Sequence, residues 1–372
     1  MMHLFLLLIF LYMVKQQSSK PHYEVLDGLR GIAAIAVVIF HCYEILTPDL
    51  TQSPIAHGFL AVDFFFCLSG FVIGYAYDNR IHQIGVKQFF VNRLIRLQPL
   101  VLLGTALGLA GLFLDPFTTS PVQEFGWGKI IIATVCSVLM LPCPILGRYE
   151  NVFPLNAPSW SLSMEYFINL VYAFVLVRIT KKLLLVFLAI AIAFIVWTGW
   201  HRGNLLGGWN DITFADGYAR VLFSFIAGLV VYRFRLIIKN KLHFLFFAIL
   251  LAVVFLFPHF ENDWFTEILF VVILFPLLVA SGAGTYVSGR VKKICTFLGD
   301  ISYPLYMTHY WMIWILGNYA ATSPGERNLY LFSGVIFIIT IILAWASLRF
   351  FDEPVRKWLT MKAKGKISNQ KS

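Results

Sequence analysis

The sequence predicts an all-α polytopic membrane protein of about ten transmembrane helices and one re-entrant segment, with room for an extra hydrophobic helix at the N-terminus. Three observations predict it. Of 372 residues, 59% are hydrophobic and 13% charged, about half the charged share that a soluble chain needs to wet its surface. Apolar stretches of roughly 20 residues, enough to cross the hydrocarbon core, recur from one end of the chain to the other. The basic residues fall mostly on one side of those stretches. Disorder, a disulfide scaffold and a soluble enzyme with a single anchor are thereby excluded. The net charge of +10 then reads as membrane topology rather than nucleic-acid binding. Cys42, Cys67, Cys136, Cys143 and Cys295 form no C-x-x-C pair and have no neighbouring histidines at ligand spacing. They read as small core residues, and no metal site is expected.

In chain order, residues 1–14 are apolar but short for a span, and lack both a basic start and a small-residue cleavage site. An interfacial or marginal helix is expected there rather than a cleaved leader. Candidate spans follow at 29–46, 59–77, 97–114, 130–146, 160–177, 183–200, 218–234, 242–257, 265–281, 297–317 and 330–349. Simple alternation of these eleven would put Arg178, Lys181 and Lys182 outside, against the positive-inside rule. The weakest candidate is 130–146, which ends in Pro142, Cys143 and Pro144. It is expected to enter and leave on the same side, because irregular backbone at membrane depth survives only inside protein. With ten crossings, all but five of the 29 Lys and Arg become cytoplasmic, the exceptions being Lys129, Arg148, Arg202, Arg220 and Arg327. The division expected is a hydrophobic segment and basic linker at 1–22, a membrane domain at 23–358 and a basic cytoplasmic tail at 359–372. No internal repeat of 20 to 50 residues is found.

Ionisable groups inside spans are costly, so each is a functional candidate. In the first span Asp27 and Arg30 are three residues apart at the inner edge and pair across one helix face. His41 and Glu44 share the same spacing near the outer end, about 16 Å above Arg30 at 1.5 Å per residue. A carboxylate beside an imidazole fixes its tautomer, as a general base requires. A histidine bonded within the bundle to keep helices in register fits the same spacing. The second span carries Asp63 and then Ser69-Gly70, a small pair suited to close helix contact or to backbone exposure toward a ligand. Arg93 and Arg96, one turn apart at the inner edge, present two guanidinium forks of a geometry that suits phosphate. Plain interfacial anchoring suits them equally. Glu165 stands about one and a half turns inside a span, and Tyr306 and His309 again share one face.

Taken together, Asp27-Gly28-Leu29-Arg30-Gly31 with His41, Val62-Asp63 through Ser69-Gly70-Phe71, Arg93 with Arg96, Trp160-Ser161-Leu162-Ser163-Met164-Glu165, and Ile301-Ser302-Tyr303 through Tyr306 to His309 resemble the acyltransferase 3 family of integral membrane acyltransferases. The resemblance covers residues 23–358. It implies a ten-helix body that transfers an acyl group, often acetyl, from cytosolic acyl-CoA to an acceptor hydroxyl, commonly on a cell-surface or exported carbohydrate. Acetyl-CoA is then a donor substrate, and no permanently bound cofactor is implied. Carried over, His41 is the catalytic base, which Glu44 joins by its spacing, Arg93 and Arg96 contact the donor's phosphates, and Arg30 supports the donor site from the same helix as His41. Asp27, Asp63, Ser69, Trp160, Glu165, Tyr306 and His309 belong to the substrate or supporting set. One departure is Met164-Glu165, where many members carry two consecutive acidic residues. Some members also append an SGNH-type hydrolase domain, which the residues read here do not include.

The partners expected are acyl-CoA, an acceptor carbohydrate or lipid-linked glycan, and membrane lipids; nucleic acid is not among them. The setting expected is a plasma (inner) membrane with the C-terminus cytoplasmic. Acceptor contacts are expected on the outer loops 115–128 and 201–217, where Trp127 and Trp209 are available to stack on sugars. The rival function is a transporter or flippase of a small acyl or glycan species, using the intramembrane His and Glu groups as a proton relay.

Overall fold

The computed structural model describes residues 22–369, so the apolar N-terminal segment at 1–14 lies outside the described residues. Thirteen α-helical segments, with short 3-10 turns between some of them, are found among the described residues. They are α1 (Glu24–Leu46), α2 (Ala61–Tyr77), α3 (Ile81–Leu114), α4 (Pro121–Leu139), α5 (Ser159–Phe174), α6 (Lys181–Arg202) and α7 (Asp216–Arg233). After these come α8 (Phe244–Phe255), α9 (Trp264–Ala283), α10 (Gly289–Thr308), α11 (Tyr310–Ala321), α12 (Glu326–Ser347) and α13 (Glu353–Asn369). No strand forms among the described residues; the one β-bridge joins Asn151 to Asn210. Eight helical stretches are long and apolar enough to cross a membrane, and α8 is apolar but shorter. The chain is an integral membrane protein. Below, the inner end of the bundle is the end where α1 begins, and the outer end is where it stops.

Two helix pairs form the centre, α1 against α10 and α2 against α7. Both depend on missing side chains. A Cβ on Gly31 would lie 2.5 Å from Leu298, and one on Gly70 only 1.9 Å from the Phe225 carbonyl oxygen. Gly228 returns the second contact against the Cys67 carbonyl at the same 1.9 Å. Ser69-Gly70 therefore serves close helix contact, the means by which helices associate where lipid tails are as apolar as leucine. The peripheral helices α4, α6, α8 and α12 do the opposite and expose Ile131, Ile190, Ile249 and Ile338. Such apolar rows are tolerated outward only against lipid.

The expected segment at 130–146 differs in its limits. Its helix begins earlier, at Pro121, breaks at Gly126 (φ +75°) and stops at Leu139, where Met140 turns left-handed (φ +58°). The tip is held deep in the bundle: Gln98 donates to the Val138 carbonyl at 2.7 Å and Ser163 to that of Met140 at 3.0 Å. The chain then doubles back, so that Leu146 and Arg148 line one cavity with Pro121 and Glu124. Both ends of the segment thus lie at the outer end, the behaviour anticipated for a re-entrant segment.

The single span expected at 297–317 is broken. α10 stops at Thr308 and α11 restarts at Tyr310, with His309 between them. The final carbonyls of α10 are satisfied by side chains, which permits a helix to end inside a bundle. Thr308 takes the carbonyl of Pro304, the His309 Nδ1–H those of Leu305 and Tyr306, and Asn156 that of Met307. Asn156 reaches Met307 across Gly104, where a Cβ would stand 2.5 Å from its amide nitrogen. The domain boundary expected at 358 falls within α13 rather than at a helix end.

Candidate active site

At the outer end, His41 and Glu44 on the last turns of α1 line a cavity of about 210 Å³ together with Trp160, Trp209, Arg220 and Tyr306. The helical spacing of three closes the pair: Nδ1 of His41 lies 2.5 Å from Oε2 of Glu44. A carboxylate accepts, so Nδ1 carries a proton, and in the neutral ring Nε2 is the nitrogen with the lone pair. His309 stacks on His41 with ring centroids 5.4 Å apart and planes inclined by 22°, and Tyr310 meets His41 edge-on at 4.8 Å. The Nδ1 of His309 is spent on the α10 carbonyls, and its buried Nε2 has no hydrogen-bond partner.

Toward the inner end a second cavity, of about 160 Å³, is lined by Arg30, Ser69, Arg93, Arg96, Glu165 and Tyr303 among others. Arg30 is held by Ser302 (2.8 Å), the Gly299 carbonyl (2.7 Å) and Asp27 (3.2 Å). The two forks of the Arg93–Arg96 turn do not act alike. Arg93 is buried and donates to Glu165 Oε1 at 2.6 Å, the same oxygen that accepts from Ser69 at 2.6 Å. Its Nε has no partner. Arg96 also lines a wider groove of about 570 Å³ with Arg356 and Lys357 of α13. The inner and outer cavities share Val62 and Tyr306 as a common wall, and the Tyr306 hydroxyl is bound to Ser161 at 2.6 Å.

The fold gathers all twelve residues anticipated from the sequence around these two spaces, but not all of them line a cavity. Asp27 acts through Arg30. Asp63 is fully buried in a bidentate pair with Arg220, the shortest contact being 2.6 Å. Arg220 also donates to the carbonyls of Gly207 (2.7 Å) and Phe59 (3.1 Å), and its guanidinium lies 5.1 Å from the centre of the Trp160 ring. Sequence reasoning left Arg220 among the outside cations. The signal available was Asp63, a carboxylate deep in another apolar span that needs an opposite charge at its own depth. Of the two loop tryptophans, Trp209 lines the outer cavity, while Trp127 is 58% exposed and stacks on Phe113 instead.

A family model described as an acyltransferase domain, that of acyltransferase 3, matches residues 23–349. The chain belongs to this family. Among the acyltransferase's relatives, Protein 2 in the picA locus of Rhizobium radiobacter is 33% identical over 184 residues, 47% of this chain and 93% of the relative. The O-acetyltransferase OatA of Staphylococcus aureus (strain NCTC 8325 / PS 47) is 24% identical over 374 residues, 92% of this chain and 59% of its own. A protein of S. aureus strain COL, provisionally named an O-acetyltransferase, is 26% identical over 362 residues, 89% and 57% respectively. The chain thus spans under three-fifths of the length of these two staphylococcal relatives. No solved structure matches.

Proposed function

We propose that this acyltransferase moves an acetyl group from cytosolic acetyl-CoA to a hydroxyl of a carbohydrate or lipid-linked glycan at the outer face of a plasma (inner) membrane. One observation carries the reading: an arginine-lined inner cavity and a cavity holding a His–Glu pair meet at the shared wall of Val62 and Tyr306. The anionic end of the donor lies between Arg93, at the mouth of the inner cavity, and the groove of Arg96, Arg356 and Lys357, and its acyl arm follows the inner cavity to Tyr306. Trp160 and Trp209 offer flat apolar faces to a sugar in the outer cavity. The names of the staphylococcal relatives support transfer to oxygen. The deciding experiment is turnover of [¹⁴C]acetyl-CoA by the purified protein with and without added acceptor. Acetyl released from the coenzyme and recovered in ester linkage is expected, whereas translocation of label without cleavage of the thioester would leave the transporter as the function.

Arg93 and Arg96 are assigned to the donor phosphates, the partnerless Nε of Arg93 being the group in need of an acceptor. A hydrogen bond to a charged group contributes roughly 1.5–3 kcal/mol, about tenfold or more in affinity. Arg93→Ala and Arg96→Ala are therefore expected to raise KM for acetyl-CoA by about that factor, more than they lower kcat. Lysine replaces them poorly because it lacks the planar fork. An unchanged KM in a folded variant would return both to interfacial anchoring.

Ten crossings with both ends of the membrane domain cytoplasmic complete the assignment. A cysteine introduced at Lys181, in a background freed of reactive cysteines, is expected to resist a membrane-impermeant maleimide in intact cells and to react after permeabilisation. Reaction in intact cells would refute this topology.

A further inference from the structure

Beside the outer cavity, four side chains from distant parts of the sequence converge among buried surroundings. His57 precedes the turn into α2, His259 lies in the α8–α9 loop, and Asp263 and Glu267 belong to the start of α9. His57 and Glu267 are wholly buried, Asp263 is 4% exposed and the His259 side chain 12%. Nε2 of His57 stands 3.0 Å from Asp263 Oδ2 and 3.8 Å from Glu267 Oε1. Nδ1 of His259 stands 3.6 Å from Asp263 Oδ2 and 4.0 Å from Glu267 Oε1. The ligand atoms of His57, His259 and Glu267 all lie within 4.8 Å of one another.

Three features of this cluster call for a cation. First, Nδ1 of His57 lies 2.9 Å from the Phe257 carbonyl, which only accepts, so that nitrogen is the protonated one. The other nitrogen of the neutral ring then points a lone pair at two carboxylates. Second, Glu267 Oε1 and His259 Nδ1 are buried and have no hydrogen-bond partner. Third, among the described residues no Lys or Arg lies within ion-pair reach of Asp263 or Glu267, whose only such neighbours are the two histidines. Two buried carboxylates need compensation, which a bound cation supplies here in place of shared protons.

We propose that His57 Nε2, His259 Nδ1, Asp263 Oδ2 and Glu267 Oε1 form a binding site for one divalent cation of the zinc class, which fastens the wall of the outer cavity. A tetrahedral ion with ligand bonds of about 2.0–2.1 Å sets its donors about 3.3 Å apart, so the histidine–carboxylate separations of 3.0–4.0 Å found here contract modestly around it. Two imidazoles argue against calcium and magnesium, which take oxygen ligands. The bond from His57 Nδ1–H to Phe257 is the outer contact that fixes the tautomer of a metal-bound histidine. The link to the wall is direct: the second oxygen of Glu267, Oε2, accepts from the backbone N–H of Leu205. The neighbours Leu206 and Trp209 line the cavity that holds His41. Sequence spacing conceals the site because one ligand lies about two hundred residues before the other three.

The test uses full-length protein purified in detergent, with zinc content by mass spectrometry and the thermal midpoint before and after chelation. The expected result is about one zinc per chain, a midpoint that falls on chelation and recovers on titrating zinc chloride, and little recovery with calcium or magnesium. This measurement needs no variant. His259→Gln, at the rim of the cluster, is expected to weaken zinc binding at least tenfold, whereas His82→Gln at the inner end leaves it unchanged. A midpoint indifferent to chelator and zinc would overturn the proposal and identify the cluster as a proton-sharing network. Equal zinc uptake by wild type, His259→Gln and Glu267→Gln would also overturn it, since the metal would then sit elsewhere.

Discussion

His41→Ala is expected to abolish nearly all acetyl transfer while the protein remains folded in detergent. A hydroxyl is a weak nucleophile at neutral pH, and removal of its proton by a positioned imidazole contributes about 10²- to 10⁴-fold. The loss should appear in kcat with KM for acetyl-CoA unchanged, because the proposed donor site places the anionic end in the inner groove and not at His41. Glu44→Gln keeps the shape of the contact at 2.5 Å but removes the charge that stabilises the imidazolium formed during transfer. A partial loss in kcat, smaller than that of His41→Ala, is expected for this positioning residue. Rapid mixing with labelled acetyl-CoA in the absence of acceptor separates the base from a nucleophile, since covalent label on His41 would mean an acyl-enzyme intermediate. Wild-type turnover by folded His41→Ala would make this histidine structural.

The second large effect concerns stability. Arg220→Ala leaves the Asp63 carboxylate in a fully buried site with no partner. Breaking one side of a buried pair costs about 3–5 kcal/mol, enough to deplete the folded protein. Arg220 also donates to two loop carbonyls, at Gly207 and Phe59, so its removal frees the cavity wall as well. Asp63→Leu combined with Arg220→Met removes both charges together and is expected to be more stable than Arg220→Ala. Thermal midpoints in detergent, measured on the single and double variants, give the coupling. A double variant no more stable than the single would show that the loop contacts of Arg220, and not the ion pair, dominate.

The helices of the membrane domain were legible because the lipid solvent demands long apolar runs, and α1, α2, α6 and α12 leave little room for another reading. The Asp27–Arg30 and His41–Glu44 pairs were legible because a helix brings residues three apart onto one face. What the sequence hid depends on tertiary partners. The end of α10 at His309 is made by side chains that fold onto its own carbonyls and by Asn156 from far upstream. Arg220 was counted among the outside cations, although the span at 218–234 contains it, because its partner lies 157 residues away. The start of α4 was misplaced because Gln123, Glu124 and Lys129 weaken the apolar run that the helix nonetheless joins. Arg93 and Arg96 look equivalent in sequence, yet only a neighbouring helix bearing Glu165 separates their surroundings.

The wall of Val62 and Tyr306 has an electrical consequence. Where wet cavities approach each other from opposite faces of a membrane, the transmembrane voltage falls mainly across the thin dry layer left between them. Each elementary charge carried through such a layer exchanges about 2.3 kcal/mol per 100 mV with the field. On the proposed reading the acetyl carbon leaves its bonding electrons on the coenzyme's sulfur, so the proton that His41 takes from the acceptor hydroxyl must pass Tyr306 in the opposite direction to neutralise that thiolate, while the coenzyme's phosphates stay on the side they came from. One acetyl then exchanges for one proton across the layer where the Tyr306 and Ser161 hydroxyls are hydrogen-bonded at 2.6 Å, and a complete turnover moves no net charge through the field.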